Sequence, residues 1–118
     1  MAFTNIGNWG VAIYTDVELN ASAETIAAGS TVFYAMEVDN SDNSEDVYVK
    51  IYTASPTVGT TAPHVIFRVP GGEILSYIPS GRGSGVTFAA VYIVAVTTGG
   101  TAGTGNPTKA VTATILTD

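Results

Sequence analysis

The sequence predicts an all-β protein: a two-sheet antiparallel sandwich, jelly-roll-like, with about seven to nine strands. Three observations predict it. Apolar residues recur at every second position in run after run, the spacing at which a strand buries one face and wets the other. β-Branched residues fill those runs. Turn chemistry separates them, and prolines 56, 63, 70, 79 and 107 all fall at run boundaries, where a missing ladder donor is tolerated.

The chain opens on "MAFTNIGNWG", which reads as an N-terminal arm over residues 1–10. In "WGVAIYTDVEL" the alternation sets Trp9, Val11, Ile13, Val17 and Leu19 on one face and Ala12, Tyr14, Asp16 and Glu18 on the other. A short piece around Thr25 and Ile26 adds a strand or an edge. "ELNASAETIAAG" holds at most one helical turn before Gly29 closes it. In "TVFYAMEV", Val32, Tyr34, Met36 and Val38 oppose Phe33, Ala35 and Glu37. In "VYVKIYTA", Val47, Val49 and Ile51 oppose Tyr48, Lys50 and Tyr52. "HVIFRV" sets Val65, Phe67 and Val69 against His64, Ile66 and Arg68, and residues 73–78 add a short strand. "VTFAAVYIVAVT", residues 86–97, is apolar on both faces and predicts one central strand covered on both sides. After the glycine-rich "TTGGTAGTGNPT", the last strand alternates Val111, Ala113 and Ile115 against Thr112 and Thr114.

At 118 residues the chain suits one domain spanning 1–118. It has no cysteine, so its core must hold without disulfides, which fits assembly in a reducing cytosol. Charged residues make up only 12% of the chain, so few that part of the surface is expected to be covered by neighbours. Ten acids against four bases give a net charge of −6, which argues against a nucleic-acid partner, since phosphate binding needs a stripe of Lys and Arg. No membrane partner is expected either. The N-terminus lacks a signal peptide's basic start and apolar run, and the longest apolar run, Phe88 to Val96, is too short to span a bilayer as a helix.

The densest polar stretch is "VDNSDNSEDV", residues 38–47. An EF-hand loop counted from Asp39 needs glycine sixth and glutamate twelfth, and finds Ser44 and Lys50. Its flanks alternate, so the stretch predicts a solvated hairpin loop, with a weak cation site of another kind as the alternative. His64 is the single histidine. With Ser84 one place late for a nucleophile elbow, it predicts a surface histidine and no triad. Gly81, Gly83 and Gly85 lack the lysine of a phosphate-binding loop and read as a connector. A glycosidase pair of carboxylates is possible on a sandwich, but no spacing here singles one out. No catalytic residue, metal site or cofactor is expected. The candidate interface residues are Phe3, Trp9, Tyr14, Tyr48 and Tyr52, as aromatics on less apolar strand faces or near the terminus. The competing reading is that Trp9 closes the core and the tyrosines pair across strands.

Residues 47–98 carry a resemblance. A strand like "VYVKIY", an Ala-Ser-Pro-Thr-Val-Gly-Thr connector, a proline-led strand ending "VPGG", then "GVTF" and "AVTT" resemble a recurring segment of small virion proteins of tailed bacteriophages. The resemblance implies a non-enzymatic β-sandwich of the virion: a capsid decoration (cement) protein, or a tail, neck or fibre accessory that binds host glycans. A cement protein would be synthesised in the host cytoplasm and sit on the outer capsid surface. Its partners would be the major capsid protein and copies of itself, as a dimer or trimer. No catalytic residue comes with the resemblance.

Overall fold

The alternating runs pair as antiparallel strands in a computed structural model that describes residues 2–5, 12–78 and 85–118. Ten strands form among the described residues: β1 (Ala2–Asn5), β2 (Ala12–Leu19), β3 (Glu24–Ala27), β4 (Thr31–Asp39), β5 (Val47–Tyr52), β6 (Val65–Val69), β7 (Ile74–Tyr77), β8 (Val86–Phe88), β9 (Val91–Val96) and β10 (Val111–Thr117). Two sheets result. One has six strands in the order β1-β2-β10-β4-β7, with β8 also on β4; the other has four in the order β3-β9-β5-β6. No helix among the described residues is long and apolar enough to cross a membrane.

The sheets bury their facing sides against each other, as the expected sandwich requires. The six-stranded sheet supplies Leu19, Phe33, Met36, Val38, Val111, Ala113 and Ile115. The four-stranded sheet answers with Ile26, Val47, Val49, Ile51, Val91, Ile93 and Ala95. Phe33 and Phe88 meet edge to face, with ring centroids 5.9 Å apart. Each fully buried Val, Leu, Ile or Phe contributes roughly 1.5–3 kcal/mol from lost apolar hydration. The alternation read from β6 and β10 is the one the structure shows. Val65, Phe67 and Val69 pack inward while His64, Ile66 and Arg68 stay exposed.

Two strands depart from strict alternation, and bulges are the reason. On β10, Val111 lies opposite Leu19 but Ala113 lies opposite Asp16, so Val17 and Glu18 share one partner position. That extra residue reverses the phase upstream. Ala12, Tyr14 and Asp16 face the core, and the expectation that Ile13 shares the inner face with Leu19 is overturned. Asp16 Oδ1 accepts from the Glu18 amide at 2.8 Å, fixing the bulge. On β4 a second bulge leaves Tyr34 between Phe33, opposite Thr117, and Ala35, opposite Leu116. Phe33 therefore joins Met36 and Val38 inside, and Val32 does not.

Two expected elements also divide differently. Residues 86–97 are two strands, because Ala89 and Ala90 carry the chain from β8 in one sheet to β9 in the other. The expected hairpin across residues 39–46 is a crossover between the sheets: β4 pairs with β10, β7 and β8, whereas β5 pairs with β9 and β6. Local alternation marks strands but does not say which sheet each joins.

Candidate functional site

The sandwich has two outer faces, and they are finished differently. On the four-stranded sheet, β5 and β9 turn Lys50, Tyr52, Val94 and Val96 outward, yet all four are buried. Tyr52, Val94 and Val96 form a second apolar cluster with Ala21, Tyr48, Val58 and Tyr92 against it. The glycine-rich loop 97–107 lies over this face. Thr97 N donates to Gly105 O at 3.0 Å, and Lys50 Nζ donates to Gly103 O at 2.9 Å. Gly103 is required here, since a Cβ would stand 2.0 Å from Thr98 O. Burial pulls the Lys50 ammonium below the ordinary lysine value and pushes the Tyr52 phenol above the ordinary tyrosine value. The Tyr52 hydroxyl is buried with no hydrogen-bond partner.

The outer face of the six-stranded sheet lacks such a roof among the described residues. Its registers align residues from four strands into rows. Leu116 sits opposite both Ile13 and Ala35, and Met36 opposite Tyr77 brings Ile78 level with Ala35. The result is an apolar row, Ile13–Leu116–Ala35–Ile78, spanning about 14 Å at the usual strand spacing. The next row is polar: Thr114 sits opposite both Thr15 and Glu37, and Glu37 opposite Ser76. Between the rows lies a shallow depression of about 220 Å³ lined by Ala35, Met36, Glu37, Ser76, Ile78, Thr114 and Leu116. Ile78 is 58% exposed and Ile74, further along the same face, 53%. These are two of the three large aliphatic groups exposed among the described residues, the third being Ile66 on the edge strand β6 of the other sheet.

The acidic stretch has a structural task of its own. Asn40 and Asn43 are buried. The Asn40 amide donates to Glu45 O, Val69 O and Pro70 O at 3.0, 3.1 and 3.2 Å. Asn43 exchanges two bonds with the Lys109 backbone, both 2.7 Å. Glu45 takes Thr108 through both carboxylate oxygens. Asp46 pairs with Arg68 at 2.8 Å and accepts from Gly71 N, and the Arg68 bond holds its carboxyl below the ordinary range. Gly71 passes so close to Ser44 O that a Cβ would lie 2.2 Å away. Three loops are thus tied at one end of the sandwich. Asp39 turns instead to Ser41, whose hydroxyl and amide lower its pKa. No three metal-ligating side chains converge among the described residues.

The expected interface aromatics fall in different places. Tyr52 is 1% exposed and offers no surface. Tyr48 is half-buried beneath Gly99. Tyr14 is half-buried on the inner face, against the core. Phe3 lies on β1 opposite Tyr14, its side chain outside the described residues, as is the whole of Trp9. Residues 2–5 of the expected arm are this paired strand. His64 is exposed, its ring edge-on to Phe88 at 5.3 Å. Of the glycine connector, residues 81–84 lie outside the described residues. Sequence reasoning missed Ile13, Ala35, Ile78 and Leu116 as a group. One signal was present: Leu116 is an aliphatic residue on the threonine side of its strand.

Among the described residues, the β-sandwich covers the outer side of β5 and β9 with its own loop and leaves the outer side of β4 and β10 uncovered. No family model, curated protein or solved structure matches the chain.

Proposed function

We propose that this chain is a non-enzymatic structural protein of a tailed-bacteriophage virion: a decoration protein that seats its open sheet face on the outer surface of the assembled capsid and stabilises the shell. The observation that carries the reading is the apolar row Ile13–Leu116–Ala35–Ile78 on that face. The phage-like segment 47–98 supports the virion context. We further infer a jelly-roll order, since β2-β10-β4-β7 faces β3-β9-β5-β6 and most connections pass between the sheets.

The size of the face fits attachment by many weak contacts. Five strands about 4.8 Å apart and up to about 30 Å long give roughly 500 Å² in projection. A standard stable interface buries about 800 Å² per partner. One contact of this size is weak, but many engaged at once on a shell raise avidity without new contacts. A protein that binds only the assembled shell stabilises it by mass action. The net charge of −6 favours the outer surface over the DNA-facing one.

The test compares capsids of the phage that encodes this chain, assembled with and without it, under heating and osmotic shock. Decorated shells are expected to survive conditions that rupture bare ones. Equal survival would remove the cement role.

A further inference from the structure

We infer that the open face is built for a partner surface combining an apolar ridge with a lysine or arginine, and not for a second copy of this chain. The inference deepens the proposed function, because it names the chemistry of the surface on which the same face would sit.

Charge is the first argument. Glu37 stands exposed on β4, two residues along the strand from Ala35, so its carboxylate borders the apolar row by about 7 Å. Among the described residues, neither an ion pair nor a hydrogen bond engages that carboxylate. The other acid on this side of β4, Asp39, is already held by Ser41. Of the chain's four cations, Arg82 lies outside the described residues, and the three described ones lie elsewhere. Lys50 is buried beneath the loop of the opposite sheet, Arg68 is paired with Asp46, and Lys109 follows Thr108 in the loop tied to the acidic stretch. A second copy docked face to face therefore brings no described cation to Glu37, and covering an unpaired carboxylate is costly. A partner carrying Lys or Arg beside its apolar ridge removes that penalty and gains an attraction across the contact.

Area is the second argument. A face of this size makes one modest contact, so it is suited to a surface that many copies engage at once. The neighbouring hydroxyls of Thr15, Thr114 and Ser76 add donors and acceptors along the row that holds Glu37.

The experiment uses the full chain and defined sensor surfaces, namely mixed hexyl–ammonium and hexyl–carboxylate monolayers read by surface plasmon resonance. Wild type is compared with Glu37→Gln, Leu116→Asn and Ile78→Ser, and with Asp42→Asn, which changes net charge equally from an exposed loop position. Thermal melts confirm folding, and Ile78→Ser, at a highly exposed site, serves if Leu116→Asn does not fold. Wild type is expected to prefer hexyl–ammonium, Glu37→Gln to weaken that binding about fivefold, and Asp42→Asn to change it little. Equal losses for Glu37→Gln and Asp42→Asn would reduce the effect to bulk charge and overturn the inference. So would a wild-type dimer in sedimentation that Ile78→Ser dissolves. Capsid shells probed in parallel read the proposed function separately. Binding to the monolayer through this face without binding to shells removes the cement role and keeps the inference. Shells bound equally well by Glu37→Gln keep the role and remove the inference.

Discussion

The outer faces of the two sheets began from similar strands and ended in opposite states. β5 and β9 carry Tyr52, Val94 and Val96 outward, and the chain covers them with its own glycine-rich loop, at the cost of burying the ammonium of Lys50. β4 and β10 carry Ala35 and Leu116 outward, Ile78 follows directly after β7, and no described segment covers them. Among the described residues, β5 and β9 are sealed on their outer side while β4 and β10, with Ile78 after β7, keep apolar groups within reach of solvent, and the proposed function uses that second face.

Substitutions sharpen that division, beginning with the largest effect. Tyr52→Ala leaves a cavity beneath the roof and is expected to cost roughly 3–5 kcal/mol in chemical denaturation. Ile78→Ser on the open face should stay within about 0.5 kcal/mol. Similar losses at the two positions would break the comparison. Next comes the knot that ties the roofed sheet's loops to the crossover. Asn40→Ala removes three amide hydrogen bonds to backbone carbonyls and is expected to cost about 2–3 kcal/mol, read from the shift in denaturation midpoint. Lys50→Met tests whether the buried ammonium is a burden. Replacing it with an apolar chain of similar length should be neutral or stabilise by about 1 kcal/mol, and a large loss would mean the bond to Gly103 O holds the roof.

The smallest effect is an acid dependence from exposed carboxylates. Asp39, Asp46 and Asp118 are each held below the ordinary value of 3.8, by Ser41, by Arg68, and by the Val32 amide with the Thr31 hydroxyl. A carboxylate with a depressed folded pKa stabilises fully above its unfolded value, and that stability is lost as pH falls through the lower folded value. The melting temperature should therefore fall on acidification below about pH 4, and Asp118→Asn should flatten the decline. An unchanged profile in that variant would remove Asp118 from the account.

Much of this was readable in the sequence, and the misses have a common physical origin. The all-β class and the inward faces of β6 and β10 follow from alternation, and the double covering of β9 from a run apolar on both faces. Alternation carries no memory across an inserted residue, so the bulges at Val17–Glu18 and Tyr34 reversed the faces of Tyr14 and Phe33. Nor does it specify partners. The acidic stretch has hairpin flanks yet links two sheets, because pairing is decided by contacts far along the chain. The open row is the clearest case. Ile13, Ala35, Ile78 and Leu116 are dispersed over the sequence, and only the registers of four strands bring them level.

The most direct test exploits the absence of cysteine in the chain. Single thiols are introduced as Ser76→Cys on the open face and Val94→Cys beneath the roof, and their maleimide labelling rates are measured alone and on capsid shells. The account predicts that Ser76→Cys labels like a free thiol in isolation and becomes protected on shells. Val94→Cys should label about a hundredfold more slowly, as expected when labelling must wait for local opening, and should not change on shells. Equal rates at the two positions in the isolated protein, or a Ser76→Cys thiol that stays fully reactive on decorated shells, would contradict it.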